Sequence, residues 1–196
     1  MLVAALISMP IAVGLGIYTA TRRDKAGDHV VSFLMLLINS LPEFVLAVGL
    51  IALLATNVFP VLPATSGLDP NQSLVAQWKL FLLPVVTLVL LVMPYVARTV
   101  RACMIEELES DHVRMARLKG LPERRIVLRH ALPNIAGPTL QVVAQSLAWL
   151  AGGIVVIETV FQFPGVGLAL VSAVSSRDIP VIQVIDRKST RLNSSH

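Results

Sequence analysis

Four apolar runs, at about 2–20, 30–56, 80–100 and 135–158, constrain this chain more than any other feature. A helix of about 20 residues crosses the hydrocarbon core of a bilayer, and each run reaches that length. Composition agrees: 14% of the residues are charged, against about 25% in soluble domains. The charges are bunched between the runs rather than spread through them. The fold class expected is an all-α polytopic membrane protein.

The runs differ in detail. The first, "MLVAALISMPIAVGLGIYTA", lacks the basic start and small-residue cleavage site of a signal peptide. Its Pro10, Gly14 and Gly16 are tolerated in a membrane helix. In the second, Pro42 removes a backbone hydrogen bond and predicts a kink. Pro84 and Pro94 interrupt the third. Residues 57–79, rich in Pro, Gly, Asn and Ser, read as a loop with Trp78 at the interface. Residues 159–185 alternate apolar stretches with Pro and Gly, which suggests a re-entrant or surface segment leading to a further helix.

Basic residues set the orientation. Arg22, Arg23 and Lys25 fall in 21–29, and Arg98, Arg101, Arg114, Arg117, Lys119, Arg124, Arg125 and Arg129 in 98–134. The opposite loops hold only Lys79 and Arg177. Residues 21–29 and 101–134 are therefore expected on the cytoplasmic side, and 57–79 and 158–180 outside. The single Cys103 excludes an internal disulfide framework and reads as a filler residue.

The last eleven residues, "DRKSTRLNSSH" at 186–196, match an in-frame translation of a common sequencing adapter at every position. They are set aside as non-native, and the identity of Ile185 is open with them. Without them the chain has 13 basic and 11 acidic residues.

The segment "DHVRMARLKGLPERRIVLRHALPN", 111–134, divides at Gly120. Val113, Ala116, Gly120 and Leu121 share one face of a short helix. Gly120, followed by Pro122, is a helix stop with glycine at the left-handed cap. Pro122 and Glu123 suit the first turn of a second helix, with Leu128, Ala131 and Leu132 on its apolar side and Pro133 ending it. Two roles fit: contact with anionic headgroups, or docking of a cytoplasmic partner. The small Ala116 and Gly120, four apart, favour docking, because lipid contact needs no close approach of backbones.

The segment resembles the cytoplasmic EAA loop of ABC-importer permeases, E-A-A-x3-G-x9-I-x-L-P. Ala116, Gly120, Leu132 and Pro133 fall in register, while Arg114, Met115 and His130 replace Glu, Ala and Ile. "RMARLKG" and "RHALPN" resemble the peptide-permease version. Residues 158–183 separately resemble the stretch before the last helix of B-type dipeptide, oligopeptide and nickel permeases, through Glu158, Phe161, Pro164, Gly165, Gly167, Ala173, Asp178 and Pro180. "SLPEF" at 40–44 is similar to that family's Ser-x-Pro-x-Phe.

The resemblance implies a type-I ABC-importer transmembrane domain, incomplete at both ends, in the cytoplasmic membrane of a bacterium or archaeon. It implies that Val113, Arg114, Ala116, Arg117, Gly120 and Leu121 form a coupling helix seated in a groove of a separate ATPase. It also implies a sister permease in a heterodimer, two ATPase subunits and an external solute-binding protein. ATP and Mg would be bound on the ATPases, since this chain has no G-x-x-x-x-G-K-[ST] loop, and no cofactor or nucleic acid is expected on this chain.

Ser40, Glu43, Gln141 and Gln145 are candidates for the pathway, although hydrogen bonds between helices explain such polar residues equally well. Glu158 reads as a structural hydrogen-bonding group in its turn, and Asp178 beside Arg177 as a solvated pair or turn residue. His112 and His130 lack metal-ligand spacing, and no catalytic constellation stands out. The competing class is a non-transport scaffold or sensor subunit with a basic, lipid-facing loop.

Overall fold

The computed structural model describes residues 2–56, 62–64, 77–153, 155–181 and 183–184. Most of the loop expected at 57–79, Ile185 and the tail at 186–196 lie outside them. Every regular element among the described residues is helical: α1 Leu2–Thr21, α2 Ala26–Ser40, α3 Glu43–Ile51, α4 Trp78–Leu108, α5 Asp111–Leu118, α6 Glu123–Ile126, α7 Leu132–Gly153, α8 Val155–Val160 and α9 Val166–Ser175. Five-residue π turns extend α3 over Ala52–Thr56 and join α6 to α7 over Val127–Ala131. The chain divides into two compact units, Met1–Leu41 with Val89–Leu147, and Pro42–Leu88 with Ala148–His196.

In the first unit α1 packs through its small side chains. Ala4, Ser8, Ala12, Gly16 and Ala20 recur every fourth residue and are buried, while Val3, Leu6, Ile7 and Ile11 face outward. A soluble helix would do the reverse. With lipid as apolar as leucine, close packing of small residues favours one helix contact over another. Gly16 marks the tightest point: a Cβ there would lie 2.7 Å from the Ala97 carbonyl oxygen and 2.7 Å from Val100 Cβ on α4.

In the second unit α8 packs on α3 and on α9. Phe161 is fully buried there, and Phe163 meets Phe81 edge-on at 5.7 Å.

Among the described residues two helices are long and apolar enough to cross a membrane, Val3–Thr21 and Trp78–Leu108, and α2 with α3 and its π turn makes a third if counted as one broken span. The run expected at 135–158 falls on α7 and α8. Asn134, Gln141, Gln145 and Ser146 dilute the apolar character of α7.

The prolines act differently from their reading in sequence. Pro42 breaks its run instead of kinking it: Leu41 is extended (φ −83°, ψ 133°) and α3 starts afresh at Glu43, because a residue before proline is driven out of the helical region. Pro84 and Pro94 do not interrupt α4, which continues through both to Leu108. Nor does Pro133 end the second short helix. The Leu132 N–H reaches back five residues to the Val127 carbonyl, and this wider turn carries the helix past a proline that cannot donate.

Candidate functional site

The polar segment is folded by local rules and then clamped at both ends. α5 ends in a Schellman motif: Gly120, at φ 75°, donates to Arg117 O (2.9 Å), and Leu121 donates to Ala116 O (3.3 Å). Glycine adopts this left-handed conformation without steric cost. Arg117 lies at the same end. Its Nη1 donates to Leu108 O at the end of α4 (3.0 Å), and its Nε donates to Glu123 Oε1 at the start of α6 (2.7 Å). At the other end His112 Nε2 is 2.8 Å from Glu107 Oε1 of α4, which also accepts from Asn134 Nδ2 of α7 (2.7 Å). α5 is thus tied to α4, α6 and α7.

The orientation of α5 differs from the expected one. Val113 (0% exposed) and Ala116 (5%) are packed against the chain itself. The close approach that small residues permit is used internally. The outward side carries Arg114, Met115, Leu118 and Lys119, with Leu118 82% exposed and Met115 55%. Leu121 is half-buried beyond the stop. Arg117, placed with the coupling residues by its motif, acts as the clamp just described.

Sequence reading missed a buried ion pair in this unit. Asp28, two residues before the apolar run that begins at Val30, is buried. It accepts from Arg101 Nε (2.9 Å) and Nη2 (2.7 Å) and from Ser32 Oγ (3.1 Å). The Arg101 guanidinium holds the Asp28 carboxyl below the usual carboxylate range, against the opposing push of burial. Sequence offered little signal, since Asp28 is one of two acids, with Asp24, beside three basic residues in that loop. Arg23 pairs with Glu109, just past the end of α4.

In the second unit Glu158 organises the remaining motif residues. Its buried carboxylate accepts from the Leu168 N–H (2.9 Å), in the first turn of α9, where the helix dipole favours negative charge. A Cβ at Gly165 would overlap that carboxylate, and one at Gly167 would lie 2.9 Å from Glu158 Oε2 and 2.8 Å from Val155 Cγ2. Pro164 leads into Gly165, the residue that caps α9. At the far end of α9, Arg177 takes the left-handed position (φ 57°) and Asp178 donates back to Ala173 O (2.9 Å). Asp178 Oδ1 then accepts from Val181 N (3.4 Å), just past Pro180.

The pathway candidates lie on three helices, α2, α3 and α7. In the first unit, Ser40 closes α2 with its Oγ on Leu37 O (2.7 Å), and Gln141 and Gln145 stand exposed one turn apart on α7. Glu43, in the second unit, opens α3. Leu132 and Pro133 begin α7.

These features describe an integral membrane component built around a clamped, basic helix. A family model for the inner membrane component of binding-protein-dependent transport systems matches residues 12–190. The chain is 37% identical over 183 residues to the Sinorhizobium fredii (strain NBRC 101917 / NGR234) protein named "Probable peptide ABC transporter permease protein y4tP", covering 92% of this chain and 57% of that one. It is 35% identical over 177 residues to the "Nickel import system permease protein NikB" of Staphylococcus aureus (strain bovine RF122 / ET3-1), covering 90% and 50%. The chain spans about half the length of the curated relatives it matches. It belongs to the family of inner membrane components of binding-protein-dependent transport systems, the ABC-importer permeases.

Proposed function

We propose that this chain is the membrane-spanning permease subunit of an ATP-driven importer for dipeptides, oligopeptides or related small solutes such as nickel chelates, and that α5 is its contact with a separate ATPase. One observation carries the reading. α5 is fixed at both ends by Arg117 and His112, yet turns two apolar side chains, Met115 and Leu118, away from its own fold. Apolar side chains on a rigid, basic helix suit a groove on another protein. A push on α5 is passed to α4 through Leu108 and Glu107, and to α7 through Asn134.

In this reading the chain pairs with a sister permease as a heterodimer, and closure of two ATPase subunits drives two such helices. ATP and Mg²⁺ are bound and used on the ATPases, and this chain holds no cofactor and no nucleic acid. Solute arrives from an external binding protein. The chain crosses the cytoplasmic membrane several times, with 21–29 and 101–134 on the cytoplasmic side. The names of its relatives support peptides and nickel as the solute classes.

The test is co-purification with candidate ATPase subunits, comparing wild type with Met115→Asp/Leu118→Asp. Burying one such side chain stabilises by about 1.5–3 kcal/mol, so the double variant should weaken ATPase retention by at least about 100-fold while reaching the membrane at the wild-type level. Equal retention would remove α5 from the contact.

A further inference from the structure

The basic segment carries more positive charge than α5 uses. Arg124, Arg125 and Arg129 are exposed, and among the described residues none has an acidic partner. All three border one shallow groove with Pro122 and Leu128. Arg129 lies three residues before α7 begins. Arg124 and Leu128 also line a second, larger cleft of ≈ 770 Å³, whose walls include the apolar Ile17, Ile105, Leu108 and Val127 and two ion pairs, Arg23 with Glu109 and Arg117 with Glu123. Arg22, which has no acidic partner among the described residues, lies 4.9 Å over the Tyr18 ring at the end of α1.

We propose that Arg124, Arg125 and Arg129 hold the headgroup of an anionic phospholipid whose acyl chain lies along Leu128 and the apolar wall of the adjoining cleft. Charge complementarity selects the headgroup: three guanidinium groups without counter-charge fit a phosphodiester, which arginine binds with its planar fork. The apolar wall beside them selects an amphiphile over a soluble anion, which would gain nothing from Ile17 or Val127. Position agrees, because the three arginines lie in the basic segment expected on the cytoplasmic side, where anionic headgroups concentrate. The basic segment is then divided between two partners, with α5 facing a protein and the turn from α6 into α7 facing lipid. The lipid assignment does not depend on the docking role of α5.

The test uses the whole chain in neutral-detergent micelles, titrated with phosphatidylglycerol or with phosphatidylcholine, bound lipid being counted by native mass spectrometry. Wild type is compared with the triple variant Arg124→Gln/Arg125→Gln/Arg129→Gln. At about fivefold per arginine, the triple variant should bind phosphatidylglycerol on the order of 100-fold more weakly, with phosphatidylcholine binding unchanged. Arg124→Lys/Arg125→Lys/Arg129→Lys, which keeps the charge without the planar fork, should bind phosphatidylglycerol more weakly than wild type but more tightly than the glutamine variant. Added salt should weaken wild-type binding, as it does for any exposed charge contact. Equal phosphatidylglycerol binding by wild type and the glutamine variant overturns the proposal. It is overturned equally if the glutamine variant keeps its lipid but loses a co-purifying ATPase, since the arginines would then face that protein.

Discussion

Gly165→Ala tests whether Glu158 is the reason position 165 carries no side chain. The backbone there, at φ −120° and ψ 176°, is extended and open to alanine, so the cost is one of space. The new Cβ would occupy the position of the Glu158 carboxylate. That group is buried, and the Leu168 N–H holds it at 2.9 Å. Expelling it forfeits a charge-assisted hydrogen bond worth about 1.5–3 kcal/mol and its favourable place at the helix N-terminus, about 0.3–1 kcal/mol more. Together with the preference for glycine over alanine as an N-cap, about 0.5–1 kcal/mol, the expected loss is about 2–5 kcal/mol. In a Glu158→Ala background the same substitution should cost only the preference for glycine over alanine as an N-cap, about 0.5–1 kcal/mol. Gly167→Ala is the control: its Cβ would also lie 2.9 Å from Val155 Cα, and deleting the carboxylate does not move that backbone. Titration with a denaturing detergent in mixed micelles, read by far-ultraviolet circular dichroism, gives each stability. The reasoning is refuted if Gly165→Ala costs the same with and without the carboxylate, to within about 0.5 kcal/mol.

Gly16→Ala should destabilise the first unit by about 1–3 kcal/mol, the range for overpacking, because its neighbours on α4 include a backbone oxygen that cannot step aside. Gly14→Ala, two residues away with nothing within 4 Å, should show no loss in the same denaturation assay. Asp28, whose carboxyl is held below its ordinary value of 3.8, should stabilise the fold at neutral pH. That contribution begins to fall as pH drops towards 3.8 and disappears below the lower folded-state value. Asp28→Asn should remove this acid-side dependence and cost about 3 kcal/mol at pH 7, the low end for stranding a buried charge, since Arg101 keeps 28% of its side chain exposed. An acid limb unchanged in Asp28→Asn would refute the assignment.

What the sequence made legible was what local chemistry decides. Gly120 followed by Pro122 stops a helix whatever surrounds it, and the left-handed cap is found there. The outward face of α5 was not legible. Val113 and Ala116 make the same pattern whether their small, apolar side meets another protein or α5's own scaffold, and only the folded chain shows that it meets the latter. Asp28 and Arg101 are 73 residues apart, a separation that no helical period reports. The small-residue seam of α1 was present in sequence as a four-residue repeat, but the apolar run around it hides it. In lipid the buried face is marked by small side chains, so a search for the largest ones finds the outside of the helix.

If α5 and the three arginines make the contacts proposed for them, the motif residues and the contact residues are different sets. Gly120 ends a helix, Gly165 and Gly167 leave room for one carboxylate, and Glu158 caps the helix that follows. Each is dictated by a conformation or a volume that almost no other residue satisfies. Their substitution should act first on stability, and on transport through it. Met115, Leu118, Arg124, Arg125 and Arg129 are held by no such constraint, since they touch little of their own chain. A surface free of internal duties can change with its partner while the frame beneath it stays. Partner choice should accordingly follow the exposed residues around the motif, and the motif itself should be a poor guide to it.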